Sequence, residues 1–304
     1  MVAFIVWYEE KLVPQASKEP LVTVIIASYN HAAYIEQSIE SVLAQSYPYV
    51  ELLVIDDGST DDSVERIRQL QSRHDFDFRV QSNQGLSCTL NEALARARGD
   101  FIAPFGSDDI MRPDRLKRQV AYLQDKPEVG ICAGNVRNID AHGMPMARQS
   151  LHPARRLDFE DVFLNRKAGA PAPTLLFRRE ALETVGGFDP AIRLEDVYIE
   201  LKITHHGYSI DVLEDVFADY RMHDFNTYKN YEFMVEAMLA TLACFSSHST
   251  YAKARSQYLN SMLLKVAGRN NELAARLLRQ LPVSEWNLKT LRALWRLLVR
   301  RGKA

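Results

Sequence analysis

LVTVIIAS, residues 21–28, decides the fold, and the polar residues Tyr29 and Asn30 follow it at once. The run is apolar, rich in β-branched side chains and of strand length, so it predicts a strand buried on both faces. Residues 32–45 then carry apolar side chains at helical spacing, which predicts a helix packed against that strand. The chain therefore begins a β–α pattern with a polar segment at the carboxyl end of its first strand.

The same alternation continues as far as residue 136. Strands are predicted at 51–55, 78–81, 101–105 and 129–136, and helices at 63–72, 86–98 and 113–123, with Pro113 in the first turn of the last helix. This order predicts right-handed crossovers and an α/β fold with a mostly parallel central sheet flanked by helices. Ligands of such sheets bind beyond the carboxyl ends of the strands.

The second half of the chain has a weaker pattern. Residues 140–166 have no clear periodicity and are expected to form loops. They are followed by predicted strands at 174–178 and 211–218 and by predicted helices at 179–185 and 194–206. Beyond residue 228 the chain becomes helical with few turn signals, which predicts a helical C-terminal extension.

Polar clusters follow three of the predicted strands. They are Ser28-Tyr29-Asn30, Asp56-Asp57 and Ser107-Asp108-Asp109. Because the carboxyl ends of parallel strands meet at one edge of a sheet, we expect these clusters to lie together. This coincidence is the main argument from the residues alone for a ligand site.

The pair Asp56-Asp57 has two interpretations. The residues that follow it, Gly58 and Ser59, are typical of turns, and Asp61 is suited to cap the next helix. Alternatively, a carboxylate at this strand end accepts the imide N–H of a uracil or thymine base, an edge that adenine does not offer. The second interpretation predicts a site for a pyrimidine nucleotide.

The cluster Ser107-Asp108-Asp109 also has two interpretations. Adjacent carboxylates repel each other unless a cation or a proton lies between them, and hard divalent ions take oxygen ligands. Mn²⁺ or Mg²⁺ at this position would connect the protein to a diphosphate and neutralise it as a leaving group. The alternative is a solvated turn in which one aspartate caps a helix.

Two further groups of residues are candidates for catalysis or binding. Glu195 and Asp196 begin a predicted helix, where the helix dipole favours acidic residues, but either of them also suits a general base. His223 ends the segment Tyr220-Arg221-Met222-His223 after a predicted strand, and a single histidine is more often structural than a ligand.

The tail of the chain, residues 286–304, combines basic and apolar side chains. Its basic residues are Lys289, Arg292, Arg296, Arg300, Arg301 and Lys303, and between them at helical spacing are Leu288, Leu291, Leu294, Trp295, Leu298 and Val299. A basic amphipathic helix with tryptophan is typical of proteins that bind anionic membrane surfaces. The alternative is a helix packed on the domain with a solvated basic face.

Composition excludes some partners and indicates a compartment. A formal net charge of -2 over 304 residues gives no general attraction to nucleic acid. Cys88, Cys132 and Cys244 form neither a metal-ligand pattern nor a disulfide framework, which suggests a reducing compartment. The apolar run at 1–8 lacks the features of a signal peptide, and no apolar stretch approaches the roughly 18 residues of a spanning helix. We expect a cytoplasmic protein, either soluble or peripheral at the inner face of the plasma membrane.

Taken together, the motifs of the chain resemble those of the family 2 glycosyltransferases, inverting enzymes of the GT-A fold that use nucleotide-sugar donors. The matching stretches are VTVIIASYNHAAYIEQSIESVLAQSY, ELLVIDDGSTDDS, NQGLSCTLNEALARARGDFIAPFGSDD, GGFD with LEDVYIELKI, and YRMH. They occur in this order between residue 21 and about residue 226. Each is weak alone, but the ordered set is highly specific, and the chain resembles bacterial enzymes of lipopolysaccharide and surface-polysaccharide synthesis.

The resemblance implies roles for individual residues. Ala27, Tyr29 and Asp57 would border the base and ribose, with Asp56 and Asp108 also at the nucleotide. Asp109 would be the best direct metal ligand and His223 would complete the metal or diphosphate site, whereas Ser107 stands where the family has a carboxylate. Asp196 would be the catalytic base, with Glu195 beside the acceptor. These roles imply a GT-A domain over 1–228, with a nucleotide-binding half at about 21–137 and an acceptor half at about 138–228, followed by the helical region 229–304.

The resemblance also implies a reaction and its substrates. A UDP- or dTDP-sugar would be the donor, and the hydroxyl of a glycan or lipid-linked acceptor would attack it with the help of Mn²⁺ or Mg²⁺. Two other classes stay open. A sugar-phosphate nucleotidyltransferase would need a glycine-rich basic loop after the first strand, which residues 28–31 do not offer. A non-catalytic carbohydrate- or partner-binding protein would not need Asp109 and Asp196 together.

Overall fold

The computed structural model describes residues 19–224 and 226–301, with side chains up to residue 298, so the apolar run at 1–8 lies outside the described part. The strands are β1 Val22–Ser28, β2 Val50–Asp56, β3 Asp77–Val80, β4 Phe101–Gly106, β5 Ile110–Met111, β6 Val129–Asp140, β7 Arg155–Leu157, β8 Leu176–Arg178 and β9 Ser209–Met222. The helices are α1 Ile35–Leu43, α2 Ser63–Gln71, α3 Leu86–Arg96, α4 Arg115–Leu123, α5 Phe159–Phe163, α6 Arg179–Thr184, α7 Glu195–His205, α8 Tyr231–Ala243, α9 Tyr251–Val266, α10 Asn271–Gln280 and α11 Leu288–Arg301.

All nine strands belong to one mixed sheet, in the order β3-β2-β1-β4-β8-β6-β9-β5, with β7 beside β9. The first four strands are parallel, as the β–α alternation predicts. β8 runs antiparallel between β4 and β6, and β5 and β7 run antiparallel to β9. The prediction of a mostly parallel sheet flanked by helices is confirmed.

Helices cover both faces of the sheet, and β1 shows why its sequence is continuously apolar. Val24 and Ile26 belong to the apolar core on one face, together with Ile39 of α1, whereas Ile25 belongs to the core on the other face. All four side chains are fully buried. A strand with helices on both faces therefore needs apolar residues at every position.

Three local predictions need correction. The helix predicted from Pro113 begins at Arg115 with Asp114 as its N-cap, and the carbonyl of Pro113 accepts a hydrogen bond from outside that helix. Residues 140–166 contain β7 and α5, which are too short for their periodicity to be recognised. The strand predicted at 174–178 covers only β8, because a 3₁₀ turn at Ala172–Thr174 precedes it.

The C-terminal extension is helical, as predicted, and has an apolar core of its own around α9. Leu259 and Leu263 of α9 are fully buried in this core, as is Ala293 of α11. A second cluster of aromatic side chains, including Phe159 and Phe245, joins the extension to α5 and α7. Among the helices of residues 19–224 and 226–301, none is both long and apolar enough to cross a bilayer.

The last helix, α11, has one packed face and one exposed apolar face. On the packed face, Thr290 is fully buried and bonds to Asn260 of α9. The exposed face carries an apolar stripe in which every side chain is more than half exposed: Leu288, Leu291, Trp295 and Leu298. The two interpretations of the tail are therefore compatible, since the helix packs on the domain and still presents apolar surface.

Candidate active site

The three polar clusters of the sequence lie at one edge of the sheet. Ser28 at the end of β1 is paired in register with Asp56 at the end of β2, and Ala27 is paired with Gly106 at the end of β4. β1 lies between β2 and β4, so the clusters after these strands are neighbours. The sheet places them together because all three strands are parallel.

The carboxylates after β2 are buried and bound by donors of the chain itself. Asp56 accepts hydrogen bonds from the backbone N–H of Ser59 at 2.8 Å and from its hydroxyl at 2.6 Å. Asp57 accepts from the side chain of Gln81 at 2.7 Å and from the backbone N–H groups of Gln84 and Gly85, both at 2.8 Å. Asp56 therefore closes the turn after β2, and Asp57 holds the loop that precedes α3.

The residues expected at the base and ribose differ in exposure. Ala27 lines a cavity at the sheet edge, whereas Tyr29 is 49% exposed. Asp57 is 5% exposed, and its three bonds leave room for one more, because a carboxylate offers about four lone pairs. Donors of the chain thus use three of the lone pairs of Asp57 and two of those of Asp56, and Asp56 differs in being fully buried.

The adjacent carboxylates after β4 have different partners. Asp108 Oδ2 lies 2.9 Å from His223 Nε2. Asp109 Oδ1 accepts the backbone N–H of Arg221 at 2.9 Å, and burial raises the pKa of the Asp109 carboxyl well above its ordinary value, with a further contribution from the charge of Asp108. A Cβ on Gly106 would lie within 2.9 Å of oxygens of both carboxylates, so only glycine leaves room for this arrangement.

A group of potential metal ligands forms around Asp108. Donor atoms of His31, Asp108 and His223 all lie within 4.8 Å of one another, which is the only such group within the part of the chain that the structure describes. These distances between donor atoms suit three ligands of a single ion of first-row size. The residues therefore fit a divalent ion such as the Mn²⁺ that the sequence predicts. Asp109 does not belong to this group, so its expected role as the direct ligand stays a prediction beside that of Asp108.

The side chain of Arg221 holds this arrangement together. It is 2% exposed, and its Nε donates to the carbonyl of Asp108 at 2.7 Å while one terminal nitrogen donates to the carbonyl of Ala141 at 3.2 Å. Its guanidinium lies 4.8 Å from the centre of the Tyr34 ring, which in turn stacks on His223 with ring centres 5.3 Å apart. Arg221 is therefore a positioning residue for both the carboxylates and the histidine.

A second group of acidic residues lines the same cavity. The cavity has a volume of about 270 Å³, and its lining includes His31, Asp108 and Asp109 as well as Glu195 and Asp196 at the start of α7. Tyr220 also lines it, and burial raises the pKa of the Tyr220 hydroxyl. The described geometry therefore brings candidate metal ligands and the candidate base to one space.

The acidic residues of α7 are poorly solvated. Burial raises the pKa of Glu195 to about 8, with a further contribution from the charge of Asp196. Burial also raises the pKa of Asp196, which accepts the backbone N–H of Val197 at 2.8 Å. Glu200 lies one turn further along α7, and burial followed by the charge of Asp196 raises its pKa well above the ordinary value. The raised pKa values of these three carboxyls make the start of α7 a candidate for proton transfer.

A buried arginine supports the floor of the cavity. Arg115 is fully buried, and its guanidinium donates to the carbonyls of Pro173 at 2.7 Å and Leu175 at 2.9 Å, both of which line the cavity. Burial lowers the pKa of Arg115 to about 9. These bonds fix the segment before β8, which forms part of the lining of the cavity.

Comparison with known proteins identifies the family. The model of glycosyl transferase family 2 matches residues 23–186, more than half of the chain. The chain belongs to this family. The match covers Asp57, Asp108 and Asp109, whereas Glu195, Asp196 and His223 lie beyond it.

Curated relatives of this family 2 glycosyltransferase extend over most of the chain. An uncharacterized glycosyltransferase of Nostoc sp. is 29% identical over 290 residues, which are 91% of this chain and 88% of that protein. TuaG of Bacillus subtilis, which its name assigns to teichuronic acid biosynthesis, is 29% identical over 213 residues, or 67% of this chain and 80% of TuaG.

Solved structures show the same GT-A fold. TarS 1-349 of S. aureus, in complex with UDP-GlcNAc, has a TM-score of 0.64 at 19% identity and is matched over 90% of this chain and 79% of that one. The mannosyltransferase PcManGT from Pyrobaculum calidifontis, in complex with GDP-Man and Mn²⁺, has a TM-score of 0.62 at 20% identity, over 94% of this chain and 87% of that one. At these identities the likeness concerns the fold alone.

Several residues of the site were not predicted as functional from the sequence. His31 follows directly after the first polar cluster, and its position at the same sheet edge is the signal that would have found it. Arg221 lies in the quoted YRMH segment, but no local pattern shows that its side chain is buried beside Asp108. Glu200 is four residues after Asp196, a spacing that places both on one side of a helix.

Proposed function

We propose that this family 2 glycosyltransferase is an inverting enzyme that moves a sugar from a UDP- or dTDP-sugar to a hydroxyl of a glycan or glycolipid acceptor. The proposal is supported by one cavity whose lining includes Asp108, a member of the candidate metal group, together with the carboxyls of Glu195 and Asp196. A displacement reaction needs these two functions on opposite sides of the anomeric carbon.

The acceptor side of the proposed mechanism rests on α7. Asp196 takes the proton of the acceptor hydroxyl as that oxygen attacks the anomeric carbon, and Glu195 lies beside the acceptor and holds it by hydrogen bonding. Burial raises the pKa of Asp196, which makes its deprotonated form a stronger base. Such general base catalysis contributes typically about 10²–10⁴-fold to the rate.

The donor side rests on the edge formed by β1, β2 and β4. Asp108 and His223 would hold Mn²⁺ or Mg²⁺, and a divalent ion there supplies charge stabilisation to the departing diphosphate. Asp109, held by Arg221, and the buried turn of Asp56 keep the edge in shape. Asp57 retains one acceptor position, which suits the imide N–H of uracil or thymine.

The comparisons support a nucleotide-sugar donor and a cell-surface acceptor as classes. TarS was solved with UDP-GlcNAc and PcManGT with GDP-Man and Mn²⁺, so both neighbours bind a nucleotide sugar. The name of TuaG refers to teichuronic acid, a cell-surface polymer. We therefore infer a role in the synthesis of surface polysaccharide or lipopolysaccharide, carried out in the cytoplasm.

A lipid-linked acceptor is favoured by the exposed face of α11. Its apolar stripe, which includes Leu291 and Trp295, is accompanied on the same helix by Lys289, Arg292 and Arg296. Apolar insertion combined with basic residues is the chemistry by which helices bind anionic membrane surfaces, and each basic residue contributes about 1 kcal/mol. We propose that this face brings the enzyme to the inner leaflet, where a lipid-linked acceptor is located.

The reaction is tested by incubating the purified protein with UDP- and dTDP-sugars, Mn²⁺ and lipid-linked saccharide acceptors. We expect release of the nucleoside diphosphate and a product whose anomeric configuration, measured by NMR, is opposite to that of the donor. Retained configuration would contradict the single displacement. Release of pyrophosphate from a nucleoside triphosphate and a sugar phosphate would instead indicate a nucleotidyltransferase, and no turnover with any donor would favour a binding protein.

A further inference from the structure

We propose that His31 is a third protein ligand of the metal site and that Ser107 is its positioning residue. The site would then offer two imidazoles and one carboxylate, a set that favours Mn²⁺ over Mg²⁺. The inference rests on the proposed metal site at Asp108 and His223, and it adds a residue and a metal preference to that site.

The position of His31 is fixed at two points. Its backbone N–H donates to the hydroxyl of Ser63 at 3.1 Å, and its ring Nδ1 lies 2.7 Å from the hydroxyl of Ser107. With Nδ1 engaged by Ser107, Nε2 is the ring nitrogen left for a metal. The rings of His31 and His223 lie 5.7 Å apart at an angle of 83°, so both can present a nitrogen to one ion beside Asp108.

Ser107 gives this arrangement a chemical reason. A metal bound at Nε2 requires the tautomer that carries its proton on Nδ1, and the hydroxyl of Ser107 lies where it accepts that proton. Ser107 stands at the position where the sequence resemblance implies a carboxylate, and it is only 4% exposed. Ser107 thus stands where a carboxylate could bind the metal, and it orients His31, which supplies a ligand instead.

The donor set determines the preferred metal. Mg²⁺ takes oxygen ligands and retains its waters, whereas imidazole nitrogen suits the later first-row ions. Replacing one oxygen ligand by a second imidazole therefore weakens the binding of Mg²⁺ more than the binding of Mn²⁺. The same replacement strengthens the binding of Co²⁺ and Zn²⁺, which come later in the first-row series. We expect the site to bind Mn²⁺ more tightly than Mg²⁺, and His31 to account for part of the difference.

The test is the binding of Mn²⁺ itself, measured with and without UDP. We would titrate wild type, His31→Gln, Ser107→Ala and the control His74→Gln, an exposed histidine remote from the site, and would confirm folding by circular dichroism. Loss of His31 or of its positioning residue should weaken Mn²⁺ binding about 10–100-fold. Mg²⁺ binding should change less, so that the Mn²⁺/Mg²⁺ ratio of affinities falls.

The number of nitrogens on the ion gives a second readout. Electron spin-echo measurements of bound Mn²⁺ should detect two imidazole nitrogens in wild type and one in His31→Gln. Unchanged Mn²⁺ affinity and nitrogen count in that variant would overturn the role of His31. If Asp108→Asn and His223→Gln also leave Mn²⁺ binding unchanged, or if wild type binds no Mn²⁺ with or without UDP, the metal site itself is wrong.

Discussion

The aspartates after β2 are buried and the acidic residues at the start of α7 are partly buried, and the two pairs differ in their hydrogen-bond partners. Asp56 and Asp57 together accept five hydrogen bonds from their own chain. Asp196 accepts one from the next residue, and burial raises the pKa of both Asp196 and Glu195. Asp56 and Asp57 therefore shape a loop, whereas the carboxyls of α7 are free to exchange a proton.

The two groups differ because the hydrogen-bond donors around them differ. Hydrogen bonds from N–H and O–H groups favour the charged form of a carboxylate, whereas burial without enough of them favours the neutral form. The β2 loop supplies donors because its turn directs backbone N–H groups at the two aspartates. The start of α7 faces the cavity, where a substrate rather than the chain would complete the set of partners.

The largest expected effect is on turnover at α7. Asp196→Asn should lower kcat about 10²–10⁴-fold, since it removes the proposed base. The dissociation constant for the donor should change little, because Asp196 is proposed to contact the acceptor and does not belong to the candidate metal group. Steady-state kinetics and nucleotide titration measure the two quantities, with Glu272→Gln, an exposed acid in the first turn of α10, as the control. Near-normal turnover of Asp196→Asn would refute the base assignment.

The next largest effect is on Mn²⁺-dependent nucleotide binding, and it distinguishes Asp108 from Asp109. Asp108→Asn should weaken Mn²⁺-dependent nucleotide binding by about tenfold or more, because it removes the ligand beside His223. Asp109→Asn should keep most of that binding, since Asp109 is held by the backbone of Arg221 and lies outside the ligand group. Calorimetric titration of UDP with and without Mn²⁺ compares the variants. The reverse order of effects would restore Asp109 as the direct ligand.

Substitutions in the loop after β2 should change the stability of the fold. Asp57→Ala removes the acceptor of three partly buried hydrogen bonds from Gln81, Gln84 and Gly85, and a hydrogen bond to a charged group contributes about 1.5–3 kcal/mol. The free energy of unfolding in urea should fall by that amount. Asp62→Ala, an exposed N-cap of α2 that makes no side-chain capping bond, serves as the control in the same loop. Equal effects of the two changes would show that Asp57 does not organise the loop.

The pH dependence of the reaction should reflect the raised pKa values at α7. A base acts only when it is deprotonated, and burial raises the pKa of Asp196, so kcat/KM should rise with pH and level off above the ordinary range of an aspartate. Glu195→Gln should change this rise little, because a pKa of about 8 leaves Glu195 largely uncharged at lower pH. A profile with its inflection at the ordinary carboxyl pKa in wild type would contradict the burial argument.

The same shifts have the opposite consequence for stability. A carboxyl with a raised pKa in the folded state stabilises the fold where it is protonated and loses that contribution as pH rises. The free energy of unfolding should therefore decrease between the ordinary value of 4.5 for a glutamate and about 8. Urea titrations across this range, repeated with Glu195→Gln, measure the contribution of this residue.

The smallest expected effect on turnover is at α11. Replacing Trp295 and Leu298 by serine should reduce binding to anionic phosphatidylglycerol vesicles and leave turnover with a short water-soluble acceptor unchanged. Val283→Ser changes an equally exposed apolar residue outside the stripe and should keep vesicle binding. Vesicle co-sedimentation makes the comparison, and equal binding of all three proteins would exclude the proposed membrane face.

Much of the fold and part of the site can be predicted from sequence, for local reasons. β1 is a continuous apolar run, and parallel strands bring their carboxyl ends together, so the meeting of the three polar clusters follows from order along the chain. The separate roles proposed for Asp108 and Asp109 cannot be predicted from the sequence. They are adjacent in one turn, and their partners, His223 and Arg221, lie more than one hundred residues away.

A metal at Asp108 and His223 would hold a pyrimidine nucleotide at the edge formed by β1, β2 and β4. A thermal-shift screen of the protein against UDP, dTDP, GDP and ADP, each with and without Mn²⁺, tests this assignment. Ligand at one hundred times its dissociation constant adds about 2.7 kcal/mol of stability. We predict a shift with UDP or dTDP that requires Mn²⁺ and is lost in Asp108→Asn. Absence of a metal-dependent shift with every nucleotide would contradict the account.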